Sequence, residues 1–159
     1  MIKQLTINYN KKLLLEESKK INYKPFESGY KEDSWFDYQP NWLYGKINRN
    51  DICNFCEIYK VMNYIVDKTG VTDIRPRIYK QLPNIEVPIH VDLSTKSAIN
   101  IILNNNYAPI TFDEIGDVIY ECALFDTTKK HMVKAHSELR IVLKFSIFDK
   151  SFEELKCLI

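Results

Sequence analysis

Apolar residues before Gly70 fall into two helical groups. From Lys11 to Lys20, Leu13, Leu14 and Leu15 predict a short helix with the leucines on its buried side. From Asp51 to Lys68, Ile52, Phe55, Cys56, Tyr59, Met62 and Val66 recur at helical spacing. Asn50 or Asp51 can cap the start of that helix and Gly70 stops it. Residues 2–9 alternate enough to predict a first strand. Positions 22–49 hold Pro25, Gly29, Pro40 and Gly45 among aromatics, which predicts an irregular segment, a packed loop or lid. Trp35, Phe36, Tyr38 and Trp42 would either cover a pocket mouth or cement the loop to a sheet.

After Gly70 the texture changes. No helical period runs from Arg75 to Ile147; short β-rich runs take its place at 74–82, 87–92, 97–103, 108–113, 117–126, 130–135 and 139–148. Turn-rich breaks such as Leu93-Ser94-Thr95-Lys96-Ser97 and Asn104-Asn105-Asn106 separate them. Short strands at short intervals indicate a sandwich or barrel. Ser151 to Leu158 reads as a closing helix capped by Ser151. The expected plan is mainly β with flanking helices, the long helix burying its apolar face on the outside of one sheet. A length of 159 residues fits one domain. Its parts would be a supporting segment at 1–70, a β core at 71–149 and a terminal helix at 150–159.

Composition changes this picture little. Net charge is +1, so no global field draws the chain to nucleic acid or an anionic membrane, and neither is an expected partner. No apolar run is long enough to span a bilayer, and Met-Ile-Lys-Gln-Leu-Thr lacks the pattern of a secretory signal. A reduced, cytoplasmic setting is expected for the four cysteines. Cys53 and Cys56 form a CxxC with no second pair, so core packing is expected of them before metal or redox work.

Chemistry concentrates in the β-rich half, which holds all three histidines, His90, His131 and His136. His90 and Asp92 are two positions apart on a predicted strand, so an imidazole and a carboxylate share one face. A second imidazole from a later strand would complete the two-histidine, one-carboxylate set that holds Fe(II) and leaves positions open. His131 is the expected partner; His136, in the turn before the last strand, is the rival. Arg140 opens the run Arg-Ile-Val-Leu-Lys-Phe, and its planar fork suits a carboxylate.

These residues also resemble a family. The stretch from Arg77 through Pro83 to His90 and Asp92, the run Ser97-Ala-Ile-Asn-Ile-Ile-Leu-Asn-Asn, and Ala123 through His131 to Arg140-Ile-Val-Leu-Lys-Phe are similar to the 2-oxoglutarate/Fe(II) oxygenases. The likeness is greatest to their aspartyl/asparaginyl/prolyl hydroxylase-like branch. It covers about half the chain, residues 75–148. The resemblance implies a double-stranded β-helix, a cupin-like jelly roll. It implies His90, Asp92 and His131 as iron ligands, Arg140 as the anchor for the distal carboxylate of 2-oxoglutarate, and Tyr79 and Asn100 as polar contacts to that co-substrate. Because Asp92 is present, it points to hydroxylation by O2, with release of succinate and CO2, and not to halogenation. Ile89, Val91, Ile101 and Val133 are the expected apolar neighbours of the metal. The substrate would be a small molecule or peptide, a peptidyl or free amino acid first. The rivals are a cupin metalloenzyme that uses no 2-oxoglutarate, a jelly-roll binding module without catalysis, and an oxygenase that binds metal without turnover.

Overall fold

The computed structural model describes residues 1–26, 39–48 and 50–159. Its longest strands set the architecture. Along β11 (Arg140–Ile147) the odd positions Ile141, Leu143, Phe145 and Ile147 join one apolar cluster, while the even positions Arg140, Val142, Lys144 and Ser146 line a cavity on the other face. Hydrogen bonding places β11 between β4 (Ile74–Gln81) and β6 (Ser97–Ile102), antiparallel to both. β9 (Cys122–Phe125) and β1 (Ile2–Gln4) extend the sheet on one side, and β3 (Gln39–Lys46) and β2 (Lys24–Phe26) on the other.

A second sheet, ordered β5 (Val87–His90), β10 (His131–Val133), β7 (Ile110–Phe112) and β8 (Gly116–Val118), faces the inner side of the first. Val87, Ile110, Phe112 and Val133 from the small sheet pack with Ile102, Ala123, Phe125 and Val142 from the large one. The chain is therefore mainly β with flanking helices, in the double-stranded β-helix arrangement of a jelly roll.

The helices cover the outer face of the large sheet. α2 (Cys56–Thr69) sends Ile58, Val61 and Ile65 into the cluster that holds Ile78, Ile99, Leu143 and Phe145. α1 (Lys11–Lys19) adds Leu14 to the same cluster. Of the three leucines expected on its buried side, only Leu14 is buried; Leu13 is 44% exposed. A helix turns about 100° per residue, so three successive positions cannot share one face. α3 (Phe152–Leu155) closes the chain with Ser151 and Glu154 in a capping box, as the sequence predicts for its start.

Three expectations for the first half are corrected. The helix expected from Asp51 begins at Cys56, after a 3-10 turn at Ile52–Asn54, and neither Asn50 nor Asp51 caps it. Its cap comes from a distant residue: the Glu17 carboxylate accepts the Glu57 and Ile58 N–H groups at 2.8 and 3.0 Å. In return, the Glu57 carboxylate accepts the Asn10 N–H at the start of α1. Cys53 and Cys56 are exposed and form no disulfide, and Ile52 is exposed as well; of this stretch, Phe55 is the residue that enters the core. The irregular segment expected at 22–49 contains β2 and the eight-residue β3. Proline is tolerated there because β2 is an edge strand, and Pro40 precedes the run from Trp42 to Lys46 that pairs with β4. Gly45 marks a close approach, since a Cβ at that position would overlap the Ile21 side chain. The expected aromatic cover splits: Trp42 lies on β3, whereas Trp35, Phe36 and Tyr38 fall outside the described residues.

In the second half, the run expected at 117–126 is two strands, β8 and β9, which belong to different sheets. Among the described residues, no helix is long and apolar enough to cross a membrane.

Candidate metal centre

β5 and β10 are neighbours in the small sheet, and their register sets His90 directly opposite His131. The two imidazole rings lie 4.4 Å apart. Asp92 follows β5, and its N–H donates to the Thr127 carbonyl at 3.0 Å, which ties it to the loop leading into β10. Its Oδ1 sits 3.6 Å from His90 Nε2. The three side chains each offer one ligand atom within 4.8 Å of the others.

Local hydrogen bonds define the state of both imidazoles. His90 Nδ1 lies 2.7 Å from the Pro88 carbonyl, and His131 Nδ1 lies 2.8 Å from the Lys129 carbonyl. A carbonyl oxygen only accepts, so each Nδ1 carries the proton and each ring has its lone pair on Nε2. This backbone anchoring of the far nitrogen is the usual support for a metal-binding histidine.

Electrostatics act in the same direction. Burial, reinforced by the neighbouring His131, pushes His90 down to about 4. Burial likewise lowers His131, against the opposing pull of Asp92. Burial alone would raise Asp92, but the Lys144 ammonium and the nearby imidazoles outweigh it and hold the carboxyl below its ordinary value. Lys144 Nζ donates to Asp92 Oδ2 at 2.6 Å, and Asp92 in turn outweighs desolvation and keeps the lysine protonated. Two neutral imidazoles and one ionised carboxylate are the protonation states that a divalent cation requires. The donor set suits iron or another first-row divalent ion.

The same cavity, about 330 Å³, contains the other expected residues. Arg140 is only 5% exposed, and its Nη2 donates to the Tyr120 hydroxyl at 2.6 Å. Asn100 donates to the same hydroxyl at 3.4 Å. Among the described residues, Arg140 Nε, Asn100 Oδ1 and Gln81 Oε1 are buried with no hydrogen-bond partner. Buried polar atoms are seldom left unpaired, so three of them around one cavity point to a polar ligand. A guanidinium among them fits a carboxylate. Tyr79 also lines the cavity, with Trp42 packed 5.6 Å from its ring.

His136 stands apart. It is not among the cavity residues, and its Nδ1 accepts the Glu138 N–H within the turn before β11. Of the four expected apolar neighbours, Val91 and Val133 line the cavity. Ile101 lies in the outer cluster, and Ile89 is 50% exposed. Ile101 sits on the outer side of β6 by strand alternation, and Ile89 points away from its neighbour His90 for the same reason. Lys144, Tyr120, Gln81 and Arg77 were missed as cavity residues. Alternation could have found three of them, Lys144 from Arg140 on β11, and Arg77 and Gln81 from Tyr79 on β4; nothing local marks Tyr120.

No protein-family model matches the chain, and neither does any curated protein. Solved structures do. A prolyl hydroxylase from Trichoplax adhaerens, in complex with a hypoxia inducible factor oxygen degradation domain peptide fragment, superposes with a TM-score of 0.67 at 11% identity, covering 99% of this chain and 86% of its own. A 2OG-Fe(II) oxygenase family oxidoreductase from Burkholderia pseudomallei gives 0.58 at 11% identity, over 86% and 77% of the two chains. A prolyl-4-hydroxylase from Pseudomonas putida gives 0.51 at 12% identity, over 69% and 72%. The first of these likenesses covers nearly the whole chain, and this chain shares the fold of the 2-oxoglutarate/Fe(II) oxygenases.

Proposed function

We propose that the chain, acting as one domain over residues 1–159, is an Fe(II)- and 2-oxoglutarate-dependent oxygenase that hydroxylates a small molecule or a peptide, a peptidyl or free amino acid first. The observation that carries this reading is one cavity holding both the His90–Asp92–His131 cluster and the buried, incompletely bonded Arg140. A cupin metalloenzyme without 2-oxoglutarate needs the first and not the second.

In this reading His90, Asp92 and His131 hold the iron. With O2 and 2-oxoglutarate, the bound ion supplies the oxidation: one oxygen atom enters a C–H bond of the substrate, and the other appears in succinate as CO2 leaves. The protein's own part is placement. Arg140 binds the distal carboxylate of 2-oxoglutarate through its guanidinium, and the hydrogen bond to Tyr120 fixes the fork. Asn100 and Tyr79 supply further polar contacts from β6 and β4. Lys144 keeps Asp92 ionised and holds one of its oxygens, and Val133 and Val142 give the cavity apolar lining.

The test is the visible absorption spectrum of the protein with Fe(II) and 2-oxoglutarate in the absence of oxygen. A metal-to-ligand charge-transfer band in wild type that disappears in His131→Ala and in Arg140→Ala supports the assignment. Loss in His136→Ala with retention in His131→Ala would transfer the ligand role to His136. Bound iron with no band would favour the cupin enzyme, and no iron binding would favour a binding module.

A further inference from the structure

Charge around the cavity is unbalanced. Arg77, Arg140 and Lys144 line it, and Asp92 is its single carboxylate among the described residues. Iron(II) and the dianion of 2-oxoglutarate would bring equal and opposite charge, so loading the site leaves the surplus of two positive charges in place. Over the whole chain the net charge is only +1, so this surplus is local to the cavity and does not reflect a generally basic protein.

The three cations differ in position and in partners. Arg140 and Lys144 are four residues apart on β11, with Val142 between them on the same face. Two steps of an alternating strand separate their Cα atoms by roughly 13 Å. Arg140, at one end, contacts Tyr120; Lys144, at the other, pairs with Asp92 in the metal cluster. Arg77 on β4 is the register partner of Lys144, so it belongs to the metal end, far from the expected 2-oxoglutarate carboxylate. It is half-buried, and its side chain makes no hydrogen bond or ion pair among the described residues. Its flanking residues on the same face have neighbours to satisfy them: Tyr79 packs on Trp42, and Arg75 is clamped by Asp73. A substrate entering the metal end would strip water from the Arg77 guanidinium, which is costly unless the substrate supplies an anion.

We infer that Arg77 is the anchor for a carboxylate on the substrate, held at the metal end of the cavity opposite the Arg140 end. This rests on the oxygenase reading for the identity of the reaction, but the anion site itself needs no metal. A carboxylate reaches such a site from two sources, the main-chain carboxylate of a free amino acid or the side chain of an acidic residue within a peptide. In both cases the guanidinium fixes one end of the substrate and leaves a C–H bond to be presented to the metal.

The test uses saturation-transfer NMR on the full chain with 2-oxoglutarate present in excess, so that the Arg140 end is filled. The probes are N-acetylglycine and N-acetylaspartate amide, each compared with its neutral counterpart, N-acetylglycinamide and N-acetylasparagine amide. In wild type, one or both acids should receive saturation and the neutral amides should not. Arg77→Gln should weaken binding of the favoured acid roughly tenfold, the worth of one charge-assisted hydrogen bond. Arg77→Lys should recover part of it, and equal melting temperatures would show that the variants fold. Saturation of N-acetylglycine alone identifies a main-chain carboxylate as the anchored group, and of N-acetylaspartate amide alone an acidic side chain within a peptide. Equal acid binding by wild type and Arg77→Gln, or equal binding of acids and amides, would overturn the inference. Mn(II) binding, followed by its electron paramagnetic resonance in the same samples, reports separately on the oxygenase reading. Its loss would sink that reading while the probe result still decides the anion site.

Discussion

The two faces of the large sheet are made by the same strands and obey opposite rules. On the outer face, Ile141, Leu143, Phe145 and Ile147 of β11 join the helices in one apolar cluster. On the inner face of that sheet, Arg140 is a buried charge and Lys144 a half-buried one, and polar atoms of Gln81, Asn100 and Arg140 lack partners among the described residues. The outer layer gains stability by removing apolar surface from water. The inner layer gives up some of that gain to hold groups that only a ligand can satisfy. Stability and chemistry are thus divided across one strand, two residues at a time.

The largest stability effect should come from the outer face. Phe145→Ala removes a fully buried ring and should destabilise the fold by about 3–5 kcal/mol, read as a lower urea midpoint. Arg140→Met should behave in the opposite way. A buried guanidinium with one neutral partner is readily replaced by an apolar side chain, so the unfolding free energy read from the urea transition should change by less than about 1 kcal/mol. Calorimetric titration of the metal-loaded protein should nevertheless show 2-oxoglutarate affinity falling by roughly a hundredfold, as two charge-assisted hydrogen bonds are lost. If Arg140→Met unfolds as easily as Phe145→Ala, the division between the faces is wrong.

Glu17→Ala tests whether the outer face is secured by polar contacts at its margin. Two N–H groups at the start of α2 lose their acceptor, and a loss of about 1–3 kcal/mol should appear with metal binding unchanged. The smallest effect concerns acid. Burial pushes Asp149 up, but the Thr72 N–H and hydroxyl at 2.6 and 2.8 Å outweigh it and hold the carboxyl below its ordinary value. A lowered folded value stabilises above the ordinary carboxylate range, and the gain is lost as pH falls through the folded value. Asp149→Asn should therefore flatten the acid side of the stability profile slightly; an unchanged profile would remove Asp149 from that account.

Much of the β half was legible because alternation is local. All but one of the seven expected runs correspond to a single strand, and the exception, 117–126, contains two. The candidate ligands were legible because three histidines in 159 residues leave few combinations. The first half was harder to read. Proline and glycine marked 22–49 as irregular, but their effect depends on whether a strand lies at an edge, which is a property of the sheet. The apolar period from Ile52 was real, but the helix starts at Cys56, where Glu17 provides the cap from forty residues earlier.

By itself, then, the sequence determined which residue types were available, the strand and helix periods, and the pairing of His90 with Asp92 on one segment, because each depends on neighbours within a few positions. Only the tertiary structure decided that His131 and not His136 joins them, through the register of β10 against β5. It alone brought Lys144, Tyr120 and Arg77 around the same cavity. Those choices depend on which strands become neighbours, and strand pairing is fixed by the burial of two sheets against each other and not by any local stretch of the chain.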